Sequence, residues 1–177
     1  MSISQIKKNL LQLDKIQLID ILLAMYDNNK ASKEYLEFYF NPDQEQLFKK
    51  YCNKVIEAFS MKRKQGVKIK DAKQAISDYK KYNPRPYFVV AIMLLYVQSG
   101  VSYANVFGYV EERMFLSLES TFLGALTLLH KEKLHIKFFE AINIIVEKSK
   151  NFGWFGESLN DIYYHFYADY LSDEDEI

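Results

Sequence analysis

Apolar residues recur along the chain at steps of three and four, and strict apolar–polar alternation is nearly absent, so the pattern predicts helices throughout. Ile3, Ile6, Leu10 and Leu13 mark a short first helix. Asp14 can cap a second, with Gln17 placed three residues on as in a capping box. Its Ile16, Leu18, Ile19, Ile21, Leu22, Leu23 and Met25 cover most of the cylinder, which predicts burial on several sides. Asp27-Asn28-Asn29 ends it, and an aromatic helix follows from Ser32 to Phe40. Asn41-Pro42 predicts the next start, because Asn caps and Pro at the first helical position gives up an amide that has no partner there. Phe48, Tyr51, Cys52, Val55 and Phe59 then share a face.

Ser60 to Val67 lacks periodicity and reads as a loop. A helix from Lys70 to Tyr82 turns Ala72, Ala75, Ile76 and Tyr79 inward, and Asn83-Pro84-Arg85-Pro86 breaks it. Tyr87 to Gln98 is apolar all round and is expected to be the central helix, ending at Ser99-Gly100. After a loop containing Gly108, a long helix from Val110 to His130 carries the stripe Met114, Phe115, Leu118, Phe122, Ala125, Leu126 and Leu129. Ile136 to Lys150 is the next helix, and Phe152-Gly153-Trp154-Phe155-Gly156 reads as an aromatic turn. The last helix, Ser158 to Tyr170, sets Leu159, Ile162, Tyr163, Phe166, Tyr167 and Tyr170 on one face. Phe166 is the expected buried centre of that stripe.

The fold class is therefore all-α, a compact irregular bundle of about nine helices, with solenoid-like helical hairpins as the alternative arrangement. Residues 1–177 are expected to form one domain, and the acidic stretch 171–177 to fray. Six glycines and three prolines leave little punctuation for a β fold. Lys plus Arg and Asp plus Glu each number 23, and this zero balance argues against a uniformly basic nucleic-acid binder. One cysteine excludes an internal disulfide framework and a Cys-rich zinc module. The longest apolar run, Tyr87 to Val97, falls short of the roughly 20 residues of a spanning helix. The N-terminal residues show no secretory pattern. A cytoplasmic protein without a membrane partner is the expectation.

Few residues can carry chemistry. Between Ser60 and Arg85 lie Lys62, Arg63, Lys64, Lys68, Lys70, Lys73, Lys80, Lys81 and Arg85, against two acids, Asp71 and Asp78. Lys70, Lys73, Lys80 and Lys81 fall in one arc opposite the Ala72–Tyr79 face, where they can meet phosphates of a nucleic acid or a small ligand or can simply keep a helix face solvated. On the last helix Glu157, Asp161, His165 and Asp169 step by four, so Asp161 and His165 could share a divalent metal, with Glu111, Glu112 or Glu119 as conceivable help. The plainer reading is an acidic solvated face. His130 and His135 read as surface or capping residues near a helix end, and Cys52 as a small core residue. No phosphate loop, dinucleotide fingerprint, nucleophile elbow or metal-ligand motif is present, so no catalytic residue, cofactor or metal is expected.

Leu13-Asp14-Lys15, Leu18-Ile19 and Glu34-Tyr35-Leu36 before Asn41-Pro42, then Ala72-x-x-Ala75-Ile76-x-Asp78-Tyr79, Ser117-Leu118-Glu119-Ser120, Gly153-Trp154 and Asp161-Ile162-Tyr163-Tyr164 resemble a family of small helical bacterial proteins defined as a domain of unknown function. The likeness covers most of the chain and rests on packing and turn residues. It implies an all-α bacterial cytoplasmic protein and transfers no activity and no site. Three readings follow. The leading one is a non-enzymatic helical interaction protein that binds a protein partner or a second copy of itself. The next is a nucleic-acid or phosphate-ligand binder using 62–85, and the third a metal-dependent enzyme built on Asp161 and His165.

Overall fold

Helix follows helix because caps and breakers divide a chain whose apolar spacing is helical almost everywhere. The computed structural model describes residues 1–60, 66–108 and 110–174, with side chains as far as residue 166. Among the described residues there are nine α-helices and no strand: α1 (Ile3–Leu10), α2 (Lys15–Asn28), α3 (Lys30–Phe40), α4 (Gln44–Ala58), α5 (Ile69–Lys80), α6 (Pro86–Phe107), α7 (Glu112–Lys131), α8 (His135–Ser149) and α9 (Trp154–Glu174). The chain divides into two compact units, Met1–Asp43 and Gln44–Ile177.

In the first unit the starts of α1 and α2 close as capping boxes. Ser2 and Gln5 exchange side-chain and backbone bonds at α1, and Asp14 and Gln17 do so at α2 at 2.9 and 3.0 Å. Asn29 accepts the amide hydrogens of Ala31 and Ser32 at α3. Helices α2 and α3 pack together, and the Tyr26 hydroxyl donates to the Glu37 carboxylate at 3.0 Å. The multi-sided burial expected of α2 is not found: none of α1, α2 and α3 holds a buried residue. The 11-residue α3 that packs on α2 presents too little surface to cover an apolar cylinder.

In the second unit α6 is the axis, packed by α4, α5, α7 and α8, while α9 lies on α7 and α8. It runs to Phe107 and not to Ser99, because Gly100 is a close-approach residue inside the helix. The helix ends instead at Gly108, whose φ of 72° lies in the left-handed region where a Cβ is penalised. At 22 residues α6 is long and apolar enough to cross a membrane by length and composition. The neighbours packed around it account for its apolar character, since Val90, Ile92, Tyr96 and Val97 are fully buried against them.

Two further starts differ from expectation. The Asn41-Pro42 signal does not open α4, which begins at Gln44; Asn41 closes α3 by donating its amide hydrogen to the Glu37 carbonyl. The aromatic turn shrinks to Phe152-Gly153, and Trp154, Phe155 and Gly156 form the first turn of α9. Gly153 takes the positive φ of 51° there. The inward sets of α5 and α7 are as the spacing predicts, with Ala72, Ala75, Ile76 and Tyr79 buried on α5 and Met114, Leu118, Phe122, Ala125, Leu126 and Leu129 on α7. On α9 Phe155 and Leu159 are fully buried, whereas Ile162, Tyr163 and Phe166 are only half-buried. Tyr167, Asp169 and Tyr170 have side chains outside the described residues, as does the end of the acidic tail at 175–177.

Candidate functional site

The basic candidates lie on a helical hairpin. The Lys68 amide hydrogen bonds to the Ala58 carbonyl at 3.0 Å, and the Tyr51 and Tyr79 rings meet at 5.5 Å, so α4 and α5 run antiparallel. Cys52, Val55 and Tyr51 of α4 face Ala72, Ile76 and Tyr79 of α5 in the same buried cluster. That packing leaves Lys70, Lys73, Lys80 and Lys81 exposed on the outer arc of α5, and Arg85 exposed before α6. Lys62, Arg63 and Lys64 lie outside the described residues.

The hairpin adds lysines from α4 that the sequence pattern did not single out. Lys54 lies over the Tyr51 ring at 4.5 Å and Lys50 at 5.8 Å. Lys81 pairs with Asp78 at 2.6 Å. The hydrogen bond from Lys81 holds the Asp78 carboxyl below its ordinary value, opposed by partial burial and helped by the Gln74 amide and the charges of Lys81 and Lys54. Lys54 of α4 and Lys81 of α5 therefore act on one carboxylate. The missed signal is the i, i+4 spacing of Lys50 and Lys54 on the outer side of α4. Over the whole hairpin, residues 44–85 hold 12 of the 23 basic residues and four acids, Glu45, Glu57, Asp71 and Asp78. A chain of zero net charge thus carries an excess of eight positive charges in this quarter and an equal negative excess elsewhere.

The second candidate is a cleft of about 470 Å³ between α7 and α9, lined by Leu126, Thr127 and His130 on one side and Asp161, Ile162, His165 and Phe166 on the other. His130 and His165 line this cleft, and His135 lies beside it against Phe166. The Phe166 ring lies 5.8 Å from that of His130 and 5.2 Å from that of His135, and the two imidazoles are 5.5 Å apart across the α7–α8 turn. His130, in the last turn of α7, and His135, the first residue of α8, lie at helix ends as expected, but they are half-buried ring partners instead of fully exposed surface residues. The sequence separates them from Phe166 by some thirty residues, and only the return of α9 along α7 brings them together.

The His165 Nδ1 atom lies 3.3 Å from the Asp161 backbone carbonyl oxygen. Among the described residues no group of three or more His, Cys, Asp and Glu is placed to hold a metal ion. Of the acids on α7, Glu119 does reach α9, where its carboxylate accepts a hydrogen bond from the Ser158 hydroxyl; Glu111 and Glu112 stay exposed. Cys52 is buried beside Tyr79, and burial pushes its thiol up to about 11, which leaves it protonated and a poor nucleophile near neutral pH.

The third feature is apolar surface on the N-terminal unit. Ile3, Leu11 and Ile16 are 87, 76 and 70% exposed, and Leu22, Leu23 and Met25 are about half exposed at 47, 56 and 49%. No curated protein and no solved structure matches the chain. The model of a family of unknown function, DUF6155, matches residues 1–167, and the chain belongs to that family.

Proposed function

We propose that the protein is a non-enzymatic helical interaction module and that the unit Met1–Asp43 carries its contact surface. The observation behind this reading is that three helices, one of them apolar around most of its circumference, bury no residue. A 14-residue helix such as α2 is marginal in water by itself, and a unit of this size rarely supplies a self-sufficient core. Covering one large aliphatic side chain is worth roughly 1.5–3 kcal/mol. A partner that covers Ile16, Ile19 and Leu23 along one side of α2 therefore stabilises the unit as it binds. Contiguous exposed apolar surface of this kind marks protein contact sites, and a helix laid in an apolar groove is a common mode. A bacterial cytoplasmic location belongs to the same reading, since a lone buried thiol suits a reducing compartment.

Paired lysine substitution, Ile19→Lys with Leu23→Lys, tests it. On a docking surface the pair abolishes association and leaves the melting temperature of the second unit unchanged. In a hidden core it lowers the melting temperature, and the reading fails. Light scattering across a protein dilution series, paired with circular dichroism melting, supplies both readouts, with a second copy of the chain as the first partner examined.

A further inference from the structure

We propose that the α4–α5 hairpin is a docking face for the backbone of a nucleic acid, bound without regard to sequence. The inference concerns residues of the second unit alone and does not depend on the N-terminal surface. It starts from charge placement. Among the described residues of 44–85, nine basic residues stand against four acids, and this excess of five positive charges in a neutral chain is not what a merely solvated surface requires, because solubility is served equally well by interspersed signs. The packing of α4 on α5 then directs the lysines outward. Lys70, Lys73, Lys80 and Lys81 share the outer arc of α5, Lys54 extends the face onto α4 toward Asp78, and Lys50 is exposed one turn before it.

The shape of the charge selects the ligand. Lys70 and Lys80 are ten residues apart on a helix, a span of about 15 Å at 1.5 Å per residue. A small phosphate compound needs donors that converge on one point, whereas these form a row. A row suits a polyanion, and duplex DNA presents one negative charge for roughly each 1.7 Å of its axis. A membrane-binding face would set apolar side chains among the lysines; here Gln74 and Ser77 lie among them and both are exposed. Lysine acts as a point charge on phosphates and reads no base edge, which is why the binding is sequence-independent. The negative excess over the remainder of the chain keeps the polyanion to this hairpin.

The experiment measures fluorescence anisotropy of a labelled mixed-sequence DNA duplex and a labelled single-stranded RNA with the full-length protein. The wild type is expected to bind both, more weakly as salt rises from about 50 to about 200 mM. Lys73→Glu with Lys80→Glu is expected to weaken binding about ten-fold or more and to lower the slope of log affinity against log salt by about two. Lys73→Gln with Lys80→Gln gives a smaller loss in the same direction, and Lys131→Glu, at the end of α7, gives none. Circular dichroism melts confirm that all variants fold. Absence of binding to either probe at the lowest salt overturns the proposal, as does a Lys73/Lys80 variant that binds like the wild type. Equal loss with Lys131→Glu shows a response to total charge only and also overturns it. Binding to anionic phospholipid vesicles but to neither nucleic acid assigns the face to a membrane and rejects the inference.

Discussion

Gly100 lies against Leu118 so closely that a Cβ at position 100 would come within 2.6 Å of Leu118 Cδ1 and nearer still to Cδ2. This contact sets how tightly α6 and α7 approach. Leu118 is fully buried and has no room to withdraw. Helix propensity alone favours alanine over glycine by about 1 kcal/mol, but overpacking a filled core costs roughly 1–3 kcal/mol. Gly100→Ala is therefore expected to lower the melting temperature. In a double-mutant cycle with Leu118→Ala, the second substitution should remove part of the first one's cost, a coupling of about 0.5–3 kcal/mol. A strictly additive cycle would show that the two positions do not touch.

Phe155 and Phe166 differ in what they hold. Phe155 is fully buried and stacks on Phe115 at a centroid distance of 4.4 Å with an interplanar angle of 19°. Phe166 is half-buried beside the two imidazoles. Truncating a buried Phe costs about 3–5 kcal/mol, so Phe155→Ala should destabilise far more than Phe166→Ala. Denaturant titration of both variants checks the order; a larger loss for Phe166→Ala would place the centre of the α9 contact one turn or more too early.

The Tyr79 hydroxyl is buried and makes no hydrogen bond among the described residues. Burial raises its ionisation well beyond the ordinary phenol range, with the neighbouring Cys52 adding to the shift. An unsatisfied buried hydroxyl costs about 1–3 kcal/mol. Tyr79→Phe, which keeps the ring contacts with Phe48 and Tyr51, should melt at the same temperature or higher. A fall of several degrees would mean that the hydroxyl is bonded in solution.

Cys52 predicts an alkaline limit. Its thiol ionises at about 9 when unfolded and at about 11 when folded, because burial opposes the thiolate. Below pH 9 both states hold the proton and the group adds no pH dependence. Between 9 and 11 the unfolded chain releases its proton while the folded chain does not, so stability falls as pH rises. Cys52→Ala should flatten this part of the stability–pH profile although it lowers the plateau. An unchanged slope in the variant would assign the alkaline loss to other groups.

The positions that the sequence made legible are those where one helix decides the outcome. The capping box of Asp14 and Gln17 and the inward sets of α5 and α7 depend on local spacing, and they are present. Gly100 misled because a glycine that ends a helix and one that admits a neighbouring Leu look alike until the neighbour is known. Gly156 is a similar case, since a Cβ there would overlap the Ser149 carbonyl at the α8–α9 junction. Apolar α2 reads as a core helix from its composition, yet burial depends on surface supplied by other elements. The lysine arc of α5 was visible in one helix, whereas Lys50, Lys54 and the meeting of His130 and His135 at Phe166 required the packing of helices far apart in sequence.

Hydrogen exchange of α2 amides in the purified full-length protein, at dilutions where light scattering gives a monomer, tests the interaction reading most directly. An uncovered α2 opens locally, so its amides should exchange orders of magnitude faster than those of α6, and should become protected only when a partner or a second copy is present. Protection of α2 equal to that of α6 in the dilute monomer would contradict the account, because it would show that the chain covers this apolar surface by itself.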